Sequence, residues 1–313
     1  MKYLALFIVL VLARNTIPAN IASEVAKRHL DINAKTSSSL CSAPSSIRHH
    51  DHDLSVNYAM SATTNWAGAT IDMPRGNASE INNPAIGSVK AQWSIPRLCL
   101  REGQNISSAG TLQTWIGISG KECEPKGAMV QVGIKAVLQD DGTTAASAWA
   151  SWYPAISFMN IVDFDVRPGD VVTAVLTVFN TTNSAVQIVN RRTNHVVTQD
   201  IFSPDPGVGD FSICGNGDGR AWAVVEGPFT WKRDPPDTAT NADGIPVFDD
   251  VSFRTLEVSA FDKGGTRDLH DESAMLYIIA DDQGVAVNAD ALGDNGFQLY
   301  TTKACARGSG DHA

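Results

Sequence analysis

Residues 128–138 read Ala-Met-Val-Gln-Val-Gly-Ile-Lys-Ala-Val-Leu. Side chains alternate from face to face along an extended strand. One face of this stretch therefore carries Val130, Val132 and Ile134, an unbroken apolar surface that asks for a core. The other carries Met129, Gln131 and Gly133. A second stretch, Arg220–Glu226, reads Arg-Ala-Trp-Ala-Val-Val-Glu. Here Trp222, Val224 and Glu226 share one face, and Ala223 and Val225 the other. Both stretches are strands that bury one side and hold a lone polar group on the opposite side.

Working outward, the same texture covers the chain from residue 57. Strands are expected at Ser88–Ile95, Leu112–Ile118, Ser147–Tyr153, Val171–Phe179, Val186–Asn190, His195–Asp200, Ser252–Ala260, Ala274–Ala280 and Gly296–Thr302. They are short, rich in Val, Thr and aromatics, and separated by Gly, Pro, Asn and Asp turns. Arg191-Arg192-Thr193-Asn194 is expected to be a hairpin turn. There is no long segment of helical period and no internal repeat. The fold class is all-β, an antiparallel sandwich or barrel, with residues 57–306 as one domain and 307–313 as a tail.

The N-terminus differs. Lys2 precedes an apolar run, Leu4–Ala13, too short to span a bilayer, which takes about 20 residues. It is expected to be a secretory signal over residues 1–19, the alternative being a buried N-terminal helix. Residues 20–56 are Ser-rich and include His49-His50-Asp51-His52-Asp53. That composition does not build a core, so the segment is either a pro-segment or a linker. Its histidines, His29 among them, would charge below about pH 6, which would change how it sits against an acidic body. An exported, soluble protein gives meaning to the sequons at Asn77, Asn105 and Asn180.

The net charge is −10 and no basic patch is present, which argues against nucleic acid as a partner. No later segment is apolar and long enough for a membrane helix, and nothing points to an oligomer, so a secreted monomer is expected. The five cysteines, Cys41, Cys99, Cys123, Cys214 and Cys305, show no C-x-x-C spacing, so neither a zinc nor a redox motif is formed. No cofactor is called for.

Familiar catalytic signatures are missing: no G-x-S-x-G, no H-E-x-x-H, and neither D-T-G nor D-S-G. The body holds only His195 and His270 before the tail. What remains is Gln131 and Glu226, an amide and a carboxyl on strand faces that also carry aromatics, with Trp115, Trp149 and Trp152 nearby in sequence terms. A half-buried Glu is costly unless something uses it. Together the pair could hold a water and a peptide carbonyl. The same aromatic face would equally suit a lectin-like carbohydrate-binding module, or a glycan hydrolase, although the latter normally needs two facing carboxyls.

The ordered motifs T-N-W-A-G-A, S-V-K-A-Q-W-S-I-P, Q-T-W-I-G-I-S-G, M-V-Q-V-G, S-W-Y-P, A-W-A-V-V-E and V-F-D-D-V-S-F resemble those of the glutamic peptidase (eqolisin) family. The resemblance implies a lectin-like sandwich of two large antiparallel sheets, a secreted acid endopeptidase made with a pro-segment that is a possible inhibitor, and polypeptide substrates. It implies Gln131 and Glu226 as the catalytic pair. It also implies that Trp115, Asn65, Trp66 and Tyr153 lie at the substrate site, to which Trp149 is added as a further ring from the S-W-Y-P strand, and that Cys123 and Cys214 are bridged. An unperturbed Glu titrates near about 4.3, which puts the expected activity on the acid side. Ser119, Lys135, Ser147 and Ser151 stand where relatives carry, or often carry, carboxylates, so the surroundings of the pair are less acidic.

Overall fold

The computed structural model describes residues 59–63, 65–74, 84–120, 128–203, 213, 218–227, 244–261, 265–281, 284–292 and 295–302. The expected signal sequence, the pro-segment or linker, the tail, and Cys41, Cys123, Cys214 and Cys305 lie outside these residues, as does the sequon at Asn77.

The described residues are almost entirely strand. In chain order they are β1 (Ala59–Thr63), β2 (Trp66–Met73), β3 (Ile86–Ser94), β4 (Leu98–Cys99), β5 (Thr111–Gly120) and β6 (Met129–Leu138). There follow β7 (Thr144–Tyr153), β8 (Ile156–Asn160), β9 (Val171–Asn180), β10 (Asn183–Asn190), β11 (His195–Phe202) and β12 (Gly219–Glu226). The last are β13 (Val247–Phe248), β14 (Val251–Ala260), β15 (Thr266–Asp268), β16 (Ala274–Asp281), β17 (Gly284–Leu292) and β18 (Gly296–Thr301). One helical turn, Ile106–Ala109, leads into β5, with the Asn105 side chain accepting from the Ser108 N–H at its start.

All eleven expected strands are present, most of them a residue or two longer at one end. The Arg191–Asn194 turn joins β10 to β11, with Asn194 in the left-handed region at φ 55°. Asn and Asp tolerate that conformation better than other side chains. Two substantial strands were not anticipated. β2 (WAGATIDM) and β17 (GVAVNADAL) are rich in Ala, Gly, Asp and Asn, which have weak intrinsic strand preference. Partners on both sides recruit them: β2 lies between β12 and β16, and β17 between β16 and β18.

The sheet runs β11-β10-β9-β3-β14-β18-β17-β16-β2-β12-β5-β6-β7-β8, with β1 beside β16 and β15 beside β14, while β4 and β13 form a separate two-stranded sheet. The expectation was two large sheets. Here the ladder is continuous and doubles over, so that β3 packs on β5 and β12, and β9 on β5 and β6. The neighbour pairs are antiparallel except β1 with β16. Between the layers lie Ile116, Ile118, Val130, Val132, Ile134, Ala223 and Val225 from one side, and Val89, Trp93, Leu176, Ile188 and Phe253 from the other, all essentially buried. The Trp93 indole N–H donates to the Thr114 hydroxyl across the layers at 2.9 Å, so a polar group inside this core is paired. Trp152 faces this core rather than the site.

The alternation read from residues 128–138 thus holds. Val130, Val132 and Ile134 face the core, and this fixes Gln131 on the other side.

Candidate active site

The site is built on the second face of β2, β12, β5, β6 and β7. The register places residues in rows across these strands. One row runs Thr70, Trp222, Gly117, Gln131, Ser151; the next runs Gly68, Val224, Trp115, Gly133, Trp149; the third runs Trp66, Glu226, Gln113, Lys135, Ser147. Directly paired residues in an antiparallel sheet point to the same side. This face carries a second apolar cluster, separate from the core, of Trp115, Trp149 and Val224 with Trp66, Met129 and Trp222 packed against it.

Trp115 is the centre of the arrangement. Its indole N–H donates to Glu226 Oε2 at 3.0 Å. The opposite edge of the ring lies over Gly117: a methyl there would come within 3.0 Å of Trp115 Cζ3 and 3.2 Å of Gln131 Cγ. At Gly133 a methyl would fall 2.5 Å from Trp115 Cβ. Both glycines clear the space the indole occupies, which is the positional meaning of glycine inside a strand. The ring therefore reaches from the Gln131 side of the face to the Glu226 side. No hydrogen bond joins Gln131 to Glu226; the Gln131 amide N–H donates to Met129 Sδ at 3.0 Å.

Glu226 ends β12, the strand between β2 and β5, and the next N–H, that of Gly227, donates to the Asn65 carbonyl at 2.9 Å. Part of the residue remains accessible, but protein encloses the carboxyl. Burial pushes it up to about 7, and the Trp115 hydrogen bond only partly opposes this. An enclosed carboxylate with a single donor is poorly compensated. The Tyr153 phenol is raised as well, first by burial and then by the charge of Glu226, so Tyr153 is within electrostatic reach of that carboxyl.

The other expected site residues also gather here. Trp66 pairs with Glu226 in register, and its ring meets Trp222 edge-on at 5.3 Å and Tyr277 at a tilt at 4.5 Å. Trp149 sits edge-on to Phe158 of β8 at 4.8 Å, and its indole N–H is buried without a partner. Asn65 contributes its backbone carbonyl.

Ser119 accepts a hydrogen bond from the Trp222 indole at 2.9 Å, and Ser151 donates to the Ile156 carbonyl at 2.7 Å. Ser147 and Lys135 are exposed.

The sequence reading passed over three participants. Gln113 pairs directly with Glu226 and is 7% exposed. Tyr277 covers Trp66, and Arg220 forms a bidentate pair with Asp72 (2.7 and 3.1 Å) while lying 5.6 Å over the Trp222 ring. Counting back two residues from Trp115 would have found Gln113, since strand period alone puts both on one face.

The doubled antiparallel ladder is a β-sandwich that carries an enclosed carboxyl among tryptophans on one face. The sequence profile of the Peptidase A4 family matches residues 64–299, and the chain belongs to that family, the glutamic peptidases. The fold is similar to that of scytalido-glutamic peptidase in complex with a transition state analog inhibitor: TM-score 0.55 and 19% identity, covering 77% of this chain and 100% of that one. It is similar, too, to SCP-B, a member of the eqolisin family of peptidases, in complex with the tripeptide Ala-Ile-His: TM-score 0.53 and 18% identity, covering 77% and 100%. No curated protein sequence matches significantly. Among the described residues, no helix is long and apolar enough to cross a membrane.

Proposed function

We propose that this peptidase cleaves internal bonds of polypeptides by direct attack of water, with Glu226 as proton carrier and the Gln131 amide as oxyanion donor. The observation that carries the reading is Glu226 itself, enclosed on an aromatic face with one hydrogen-bond donor and a carboxyl at about 7. Structural carboxylates are normally paired or multiply hydrogen-bonded, and a group poised near neutrality suits general acid–base work.

The ionised Glu226 takes one proton from water as the water oxygen bonds to the scissile carbonyl carbon. The Gln131 N–H stabilises the oxygen that becomes negative, an effect worth about 3 kcal/mol in comparable sites. Glu226 then passes its proton to the amide nitrogen, the C–N bond breaks, and an acid and an amine leave. For substrate to be bound, Gln131 must exchange its contact with Met129 for the carbonyl oxygen. The tryptophans Trp66, Trp115 and Trp149, with Tyr153, offer flat apolar walls for an extended peptide.

Burial also bears on the pH at which Glu226 is ionised. At pH 4 only about one Glu226 in a thousand would be ionised with a carboxyl at about 7. The rising limb of the rate is therefore placed near neutrality, above what an ordinary glutamate would give. Export, a cleaved pro-segment able to inhibit, a monomeric state and a Cys123–Cys214 bridge complete the proposal on the strength of the N-terminal composition and the family.

The test is digestion of a denatured protein from pH 3 to 8 by the wild type, Glu226→Gln and Gln131→Ala, each checked for folding. Fragment release by the wild type alone, with a limb near pH 7, is the expected result. Near-wild-type turnover by Glu226→Gln would overturn the mechanism. A stable wild type that binds glycan and releases no fragments would favour the lectin-like reading.

A further inference from the structure

The amide that stands beside Glu226 is not that of Gln131. In the register, Glu226 of β12 pairs with Gln113 of β5, and Gln113 with Lys135 of β6. Directly opposed residues have Cβ atoms only about 5 Å apart. Gln131 lies two strands from Glu226, in a different row, with the Trp115 ring in between.

Gln113 is on the catalytic side beyond question of pattern. Its neighbours Leu112 and Thr114 face the core, where Leu112 is fully buried and Thr114 binds Trp93. Its own amide is on the same face as Trp115 and Glu226. Gln113 is 7% exposed, and its side chain makes no hydrogen bond to the described residues. Its amide atoms keep some accessible surface, for the buried side-chain atoms without a partner among the described residues are Trp149 Nε1 and Gln187 Oε1, so water is the partner open to the amide. Glu226 shows the matching deficit, for its hydrogen bond to Trp115 uses Oε2 alone. Two under-used polar groups side by side, with Lys135 next in their row, make a place for a small polar molecule that both can bind.

We infer that Gln113 is a further catalytic residue of this peptidase: its amide holds the attacking water against Glu226, while Gln131 serves the carbonyl oxygen of the substrate. The inference rests on the function proposed above. The Gln113 carbonyl oxygen accepts one water hydrogen, Glu226 accepts the other and removes it, and the freed oxygen lone pair attacks. The Gln113 N–H remains available to the carboxylate. The division of labour also explains how a site spread over two rows can act on one peptide bond, since each amide addresses a different atom of the reacting group.

The test replaces Gln113 by Met, of similar length and without the amide, and by Asn, which keeps an amide on a shorter stem. Both are compared with Glu226→Gln, with melting temperature and single-turnover rates measured for each. Gln113→Met is expected to lower kcat roughly 100-fold, with KM and melting temperature near wild type, and Gln113→Asn to recover part of the loss. Gln113→Glu, which sets a second carboxyl beside Glu226, should move the rising limb to higher pH by like-charge repulsion. If Gln113→Met turns over within about two-fold of wild type while Glu226→Gln is inactive, the role of Gln113 is overturned and the proposed reaction stands. If Glu226→Gln is active, the proposed reaction itself falls.

Discussion

Two enclosed carboxyls in this molecule have opposite fates. Asp170, in the turn before β9, is 3% exposed and receives the Arg192 guanidinium at 2.6 and 3.1 Å, the Asn190 amide at 2.8 Å and the Arg167 backbone N–H at 3.2 Å. Burial pushes Asp170 up, but these donors and the Arg192 charge outweigh it, and the carboxyl ends below its ordinary range. Glu226 has its carboxyl enclosed by protein, receives the Trp115 indole alone, and ends at about 7. The difference lies in the number and charge of the donors together with how deeply each carboxyl is set, since burial is the largest influence at Glu226 and a single uncharged donor opposes it. A fold that needs a carboxylate for structure surrounds it with donors. The one on the aromatic face is left wanting, and that is the form in which it can take and return a proton.

The contrast can be broken in several ways. The largest expected effect is on Glu226→Gln, which should lower kcat/KM on a denatured protein by about 10³-fold or more while keeping the fold. Next, Asp170→Asn removes the charge that Arg192 meets and acceptor capacity used by Asn190 and Arg167, and should destabilise the protein by roughly 1–3 kcal/mol in urea unfolding, with kcat unchanged. Equal losses of activity in the two variants would erase the distinction.

Stability against pH sharpens it further. The Glu226 carboxyl is raised on folding, so its neutral form is favoured. Stability is fully present below about pH 4, declines as pH rises through about 7, and the total is about 3 kcal/mol at 1.36 kcal/mol per unit. The Asp170 carboxyl is lowered, so its contribution is present above about pH 4 and is lost as pH falls through the folded value. Denaturation measured from pH 2 to 9 should show both slopes. Glu226→Gln should remove the neutral-side slope alone, and Asp170→Asn the acid-side slope alone.

A smaller effect is expected from Trp115→Phe. It removes the one hydrogen bond that holds Glu226 down, so the rising limb of the pH–rate profile should move upward. The smallest is Ser119→Ala, which strips the Trp222 indole of its acceptor and should cost about 1 kcal/mol, with a modest rise in KM.

Much of this was legible in the chain. Period-2 patterning located β6 and β12 and put Gln131 and Glu226 on the face away from the core, because each strand states its own two sides. Trp66, Trp115, Trp149 and Tyr153 were found the same way or through the family motifs. What single strands do not state is register. Which residue of β5 Glu226 faces depends on how β12 and β5 slide past each other, and how far Gln131 lies from it depends on the further pairing of β5 with β6, which hydrogen-bond ladders between distant segments decide. The raised carboxyl follows from enclosure by several strands at once. β2 and β17 escaped because Ala, Gly and Asp carry little strand signal, and the neighbouring strands supply it instead. Tyr277 could not be tied to Trp66 from sequence for the same reason, since β16 meets β2 only in the assembled sheet.

β12 is bonded along its whole length to β2 on one flank and to β5 on the other, unlike β11 and β8, which close the two ends of the sheet. The backbone under Glu226 cannot slip or fray without tearing two ladders. Its amide protons should therefore exchange with solvent only through opening of the whole molecule, hours behind those of β8 and β11. Heat should then end the activity in the same single transition that melts the fold, leaving no temperature range in which a folded body carries a dismantled site.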